Sequence, residues 1–182
     1  MSARDGYRER VAAALAALGV PAELPEQRHL TLFREAQRLA PVGLGTDGRD
    51  KLLTPSAARA WLAMQRHASS EGVDLRLVSA FRSVDFQTSL IRARLDRGDA
   101  LDTILRVNAP PGYSEHHTGR AVDVGTAGCA ALDEAFEGTD AFRWLQANAG
   151  QFGFRMSYPR GNRQGYLYEP WHWCYAGAPS RP

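Results

Sequence analysis

Residues 114–124 read Ser-Glu-His-His-Thr-Gly-Arg-Ala-Val-Asp-Val, and the break inside them decides how the chain folds. Gly119 interrupts any single helix or strand through the stretch, so His116 is expected in a loop and Ala121–Val124 on a short strand. On that strand Asp123 stands between Val122 and Val124 and points away from the face the valines share. A carboxylate placed there needs a partner.

A second segment follows the same logic: Glu169-Pro170-Trp171-His172-Trp173. Proline cannot donate to a sheet ladder, so Glu169 falls at a strand entrance and His172 within the strand, with the two indoles on the opposite face. A single histidine is more often a surface or hydrogen-bonded residue than a ligand, and this segment alone reads equally well as an aromatic core strand. Taken together, the two segments supply two His and one Asp, enough for a tetrahedral zinc site with one position left for water, and Glu169 would stand beside that water.

Outward from these segments, helices come first and strands last. Helices are expected over Tyr7–Leu18, Pro25–Ala40, Pro55–His67 (capped by Thr54), about fourteen residues after the Ser83 cap, Asp99–Val107 and Thr139–Asn148. Strands are expected over Val73–Phe81, Ala121–Val124, Phe154–Tyr158 and Trp171–Tyr175. Without strict strand–helix alternation, the fold class is α+β, a small antiparallel sheet carrying the site and flanked by helices. The Gly- and Asp-rich stretch at 41–50 reads as a linker, dividing the chain into a helical extension, 1–50, and a main domain, 51–182.

Composition bounds the chemistry. Two cysteines in 182 residues cannot build a thiolate zinc ribbon or a disulfide scaffold, whereas five histidines suffice for a His/carboxylate metal site. A net charge of +2, from 22 basic and 20 acidic residues, argues against nucleic acid as a partner. No run approaches a membrane span. The apolar stretch Val11–Val20 resembles a signal core in length, but its flank is acidic as well as basic, so a helix stopped by Gly19 and Pro21 is expected instead. That reading favours a cytoplasmic location over a periplasmic or cell-wall one.

These motifs resemble those of the VanY-type D-alanyl-D-alanine carboxypeptidases, relatives of the D-Ala-D-Ala dipeptidases and of the hedgehog-like fold. SEHHTGRAVD matches S-x-H-x-x-G-x-x-x-D and EPWHW matches E-x-x-H; Ser79–Ser83 with Gln87, Ala109–Tyr113 and Gly153–Gly177 extend the similarity over about residues 51–177. The resemblance implies one Zn²⁺ held by His116, Asp123 and His172, and Glu169 as general base. It also implies that Arg82 polarises the scissile carbonyl while Ser114 and Gln87 help hold the peptide, whose substrate form is a peptidoglycan peptide ending in D-Ala-D-Ala. The implied enzyme is a monomeric zinc D,D-carboxypeptidase; a D,D-dipeptidase, a peptidoglycan endopeptidase and a non-catalytic zinc-containing wall-binding domain are the alternatives.

His117 matches no ligand position, and His29 and His67 lie outside the motifs. Two positions depart from the pattern: Phe81 where a Tyr is common, and Cys174 where an Arg often stands. Cys174 shares a strand face with His172 and is read first as a small hydrophobe, with an approach to the metal or pairing with Cys129 as alternatives.

Overall fold

The computed structural model describes residues 3–177. In chain order the elements are α1 (Ala3–Ala17), α2 (Leu24–Gln27), β1 (Ala40–Leu44), β2 (Asp50–Leu53), α3 (Pro55–Ser70), β3 (Arg76–Ser79), α4 (Val84–Asp96), α5 (Leu101–Leu105), β4 (Ala121–Gly125), α6 (Asp140–Asn148), β5 (Phe154–Met156) and β6 (His172–Tyr175). β1 and β2 form a hairpin, and the other four strands form an antiparallel sheet in the order β3-β4-β6-β5. The fold is α+β. Among the described residues no helix is long and apolar enough to cross a membrane.

β4 is central and buried along its whole length. Val122 and Val124 enter the larger core, where Trp61 and Met64 of α3 and Phe142 and Leu145 of α6 pack against the sheet. That core leaves the other face of β4 to Asp123. A second, smaller core joins α1 to α4 and α5 through Val11, Leu15, Leu18, Val84, Ile91, Ile104 and Leu105. The amino-terminal helix is therefore packed onto the same body as the site-bearing elements.

Two expectations are corrected. The helix expected over Pro25–Ala40 shrinks to Leu24–Gln27, and the residues after it run extended. There the backbone N–H groups of Phe33 and Ala36 donate to Gly112 O and His117 O, both at 2.8 Å. Partners across the fold outcompete the intrahelical bonds that propensity alone favours. The 41–50 stretch is no linker but the turn and flanks of the β1–β2 hairpin, with Asp47-Gly48 at its tip. The expected boundary at residue 50 thus falls at the start of β2.

Gly119 ends the 3-10 turn Glu115–Thr118 in the left-handed region, φ 62°. A Cβ there would lie 3.0 Å from Leu39 Cδ2 and 3.2 Å from Thr54 N. Gly119→Ala is expected to lower unfolding stability by about 2–4 kcal/mol, backbone strain and crowding together, while Gly161→Ala, with positive φ but open space, costs only about 1–2 kcal/mol. Denaturant unfolding of the two variants measures the difference.

Candidate metal centre and cleft

Sheet register makes the first half of the site. Asp123 on β4 lies directly opposite His172 on β6 and is also paired with Ser79 on β3, so the three strands meet at one carboxylate. Asp123 Oδ1 is 3.0 Å from His172 Nδ1. The second half comes from the 3-10 turn: Ser114 caps it by accepting from His116 N–H, and His116 Nε2 arrives 3.2 Å from Asp123 Oδ2. His116, Asp123 and His172 are all buried, and their ligating atoms lie within 4.8 Å of one another.

The histidines are oriented from behind. His116 Nδ1–H donates to Ala80 O at 2.6 Å, which leaves its Nε2 as the lone-pair atom, buried and without a hydrogen-bond partner. Burial, aided by the Arg82 charge, holds the His116 imidazole down at about 4, so it is neutral near pH 7. His172 turns its Nδ1 to the group and its Nε2 to Glu115 Oε2, 2.9 Å away. Burial works against a charged His172, but hydrogen bonds to Asp123 and Glu115 raise it to about 10. Burial likewise works against a charged Glu115, and its bonds from His172 and from Ser157 Oγ (2.6 Å) bring it down to about 2. Asp123, despite burial, is held well below the usual carboxylate range by the two imidazoles. An unpartnered His116 nitrogen, an ionised Asp123 and the His172 imidazole, backed by Glu115 and carrying an Nδ1 proton that a metal ion would displace, form a donor set that fits zinc.

Around this group lies a narrow cleft lined by Arg82, Gln87, Asn108, Ser114, Tyr158, Tyr166 and Glu169. Arg82 Nη2 is 3.5 Å from Asp123 Oδ2, and Nη1 donates to Gln87 Oε1 at 3.3 Å; Gln87 in turn donates to Ala109 O at 2.8 Å. Glu169 Oε2 is 3.9 Å from His172 Nδ1, and burial raises its carboxyl to about 7. A larger cavity, about 570 Å³, lies between α1 and residues 20–32 and is lined by Val11, Leu15, Leu30 and Leu32. The chemistry belongs to the narrow cleft, because that is where the ionisable groups converge.

Of the site residues expected from sequence, Arg82, Gln87, Ser114, His116, Glu169 and His172 line this cleft, and Asp123 is grouped with His116 and His172. His117 does not join the metal group: it accepts from Gly112 N–H at Nε2 (3.0 Å) and donates from Nδ1 to Arg82 O (2.7 Å), bracing the loops on either side. Both cysteines are free thiols, and Cys174 lies beside Glu115 with its thiol pushed up to about 12 by burial. Sequence reasoning missed Glu115, although a carboxylate directly before a candidate ligand was a usable signal. It also missed Tyr158 and Tyr166, whose rings meet 4.9 Å apart on the cleft wall.

Comparison with known proteins bears on the family and the fold. The D-alanyl-D-alanine carboxypeptidase (VanY) family model matches residues 50–178. A putative carboxypeptidase, YodJ, of Bacillus subtilis strain 168 is 35% identical over 131 residues, 70% of this chain and 47% of that protein. The bifunctional D-Ala-D-Ala dipeptidase and carboxypeptidase VanXYC of Enterococcus gallinarum is 32% identical over 71% of this chain and 70% of its own length. Among solved structures, the LdcB LD-carboxypeptidase superposes with a TM-score of 0.70 at 31% identity, covering 81% of this chain and 72% of that one. The chain thus spans about half the length of YodJ.

If Glu115 fixes the His172 ring, Glu115→Gln should weaken Zn²⁺ affinity about 10–100-fold while leaving the fold intact. Competition against a chromophoric chelator reads the change, and an affinity equal to the parent's would remove Glu115 from that role.

Proposed function

The chain belongs to the VanY family of D-alanyl-D-alanine carboxypeptidases, and from that premise we propose that it is a zinc-dependent D,D-carboxypeptidase. Its substrate is a peptidoglycan stem peptide or precursor ending in D-Ala-D-Ala, and its chemistry resides in residues 51–182. The observation that carries this reading is the juxtaposition of a His116–Asp123–His172 donor set with two groups a structural metal does not need, Glu169 and Arg82. That juxtaposition also weighs against a non-catalytic zinc-containing domain.

His116 Nε2, Asp123 and His172 Nδ1 would hold the zinc ion, which when bound supplies Lewis acidity and makes water acidic enough to ionise near neutral pH. Glu169 takes the proton of the attacking water; a carboxyl held near neutrality by burial also returns that proton to the departing amine. Arg82, pinned by Gln87 and facing Asp123, presents positive charge where the peptide carbonyl oxygen becomes negative. Gln87 and Ser114, on the same cleft wall, orient the peptide.

A second reading, removal of a single terminal D-Ala from a tetrapeptide, is favoured by the likeness to the LD-carboxypeptidase LdcB. The test offers the zinc-loaded chain a pentapeptide ending in D-Ala-D-Ala, the matching tetrapeptide and free D-Ala-D-Ala, each with and without chelator. Chelator-sensitive D-Ala release from the pentapeptide is the expected result. Preferred cleavage of the tetrapeptide selects the second reading, and no release from any of the three overturns both.

The individual roles separate under mutation. Glu169→Ala should retain zinc and lose about 10²–10⁴-fold in kcat. His116→Ala should lose metal and turnover together. Arg82→Ala should keep the metal and lose about 10²–10³-fold in kcat/KM. Steady-state kinetics paired with metal analysis distinguishes the three.

A further inference from the structure

Arg28 lies outside the family-matched residues, yet its guanidinium ties together two segments that line the cleft. Nη1 donates to Leu105 O and Nε to Gln164 O, each at 2.7 Å, and the group stacks 4.4 Å over the ring of Tyr166. Leu105 leads into Val107, Asn108 and Ala109, and Gln164 precedes Tyr166; Val107, Asn108, Ala109 and Tyr166 all line the cleft. Leu167 N–H donates to Arg106 O at 2.9 Å and closes the same seam. The 159–168 loop has few other anchors: Asn162 braces it internally by donating to Pro159 O and Tyr166 O, and Arg160 reaches Glu134 and Glu137 at the exposed surface.

The backbone is shaped to deliver this side chain. Arg28 is the C-cap of α2, and the next residue, His29, is one of two non-glycine residues with positive φ among those described, at 51°. The left-handed turn at His29 closes α2 through two capping bonds, Leu30 N–H to Pro25 O at 2.8 Å and His29 N–H to Glu26 O at 3.0 Å, which fix Arg28 at the helix end. It turns the chain from α2 into the extended segment that follows.

We propose that Arg28 is a positioning residue for the peptidase site: by clamping the 105–109 segment to the 164–166 segment across Tyr166, it sets the width of the peptide-binding cleft. The amino-terminal segment thereby becomes part of the specificity machinery while contributing nothing to the metal group. This inference rests on the peptidase reading above. A planar guanidinium suits the task because two fixed prongs reach two carbonyls while its face covers an aromatic ring, a combination an ammonium cannot reproduce.

The experiment compares the zinc-loaded full chain with Arg28→Ala and Arg28→Lys. With the cleft competent only about a tenth to a fifth of the time, KM for the peptide should rise by the inverse of that fraction, about fivefold to tenfold, with kcat within about twofold and zinc content unchanged. In a Tyr166→Leu background the same Arg28 substitutions should add little to KM, because both remove the same Arg28–Tyr166 contact. Independently of activity, tryptic cleavage after Arg163, followed by mass spectrometry of that fragment, should quicken in both variants as the loop opens. Parent-like KM in both variants, or full additivity with Tyr166→Leu, overturns the positioning role. Parent-like cleavage after Arg163 overturns the clamp itself, and it does so even if the parent chain proves inactive on every peptide, the result that would instead sink the peptidase reading.

Discussion

One buried carboxylate organises this molecule. Asp123 sits on the central strand with its neighbours Val122 and Val124 in the apolar core, and it is stable there because two imidazoles and the Arg82 guanidinium face it. A charge without partners at that depth would cost several kcal/mol, so β4 and β6 must pair in the register that sets Asp123 opposite His172. A slip of one residue would put the carboxylate into the core and a valine into the site. Fold and site are therefore specified by the same contact.

The remaining supports extend outward from it. Ala80 O fixes His116, Glu115 fixes His172, and His117 braces the Arg82 loop against the Gly112 turn. Behind these, Ala36 N–H donates to His117 O, and Glu35 accepts from Val84 N–H at the start of α4 while pairing with Arg10 of α1. The described residues up to Ala40 thus act as a strap across the back of the site. That role fits a segment whose helices are short or weakly amphipathic but whose extended part supplies backbone donors to loops that would otherwise lack them.

The site was legible in the sequence to an unusual degree because its residues are short-range in two segments and chemically improbable as core. His116, Asp123 and His172 converge as their spacing suggested, and Glu169 and Arg82 join them. Helices α1, α3, α4 and α6 were legible from caps and periodicity; Ser83, for example, accepts from Phe86 N–H as a cap should. What stayed hidden depends on distant partners. Residues 30–39 look helical locally and are extended because Gly112 and His117 offer carbonyls. Arg28 contacts a loop 136 residues away, which no periodicity encodes. The β1–β2 hairpin is a different failure, since Asp47-Gly48 was a readable turn signal masked by the polar composition around it.

The account stands on a single metal centre. Anomalous diffraction at the zinc edge from a crystal of the zinc-loaded protein tests it most directly. It should show one zinc peak, bonded by Nε2 of His116, a carboxylate oxygen of Asp123 and Nδ1 of His172, with Glu169 beside the open coordination position. No peak among those three side chains, or zinc bound elsewhere with this cleft empty, would contradict it.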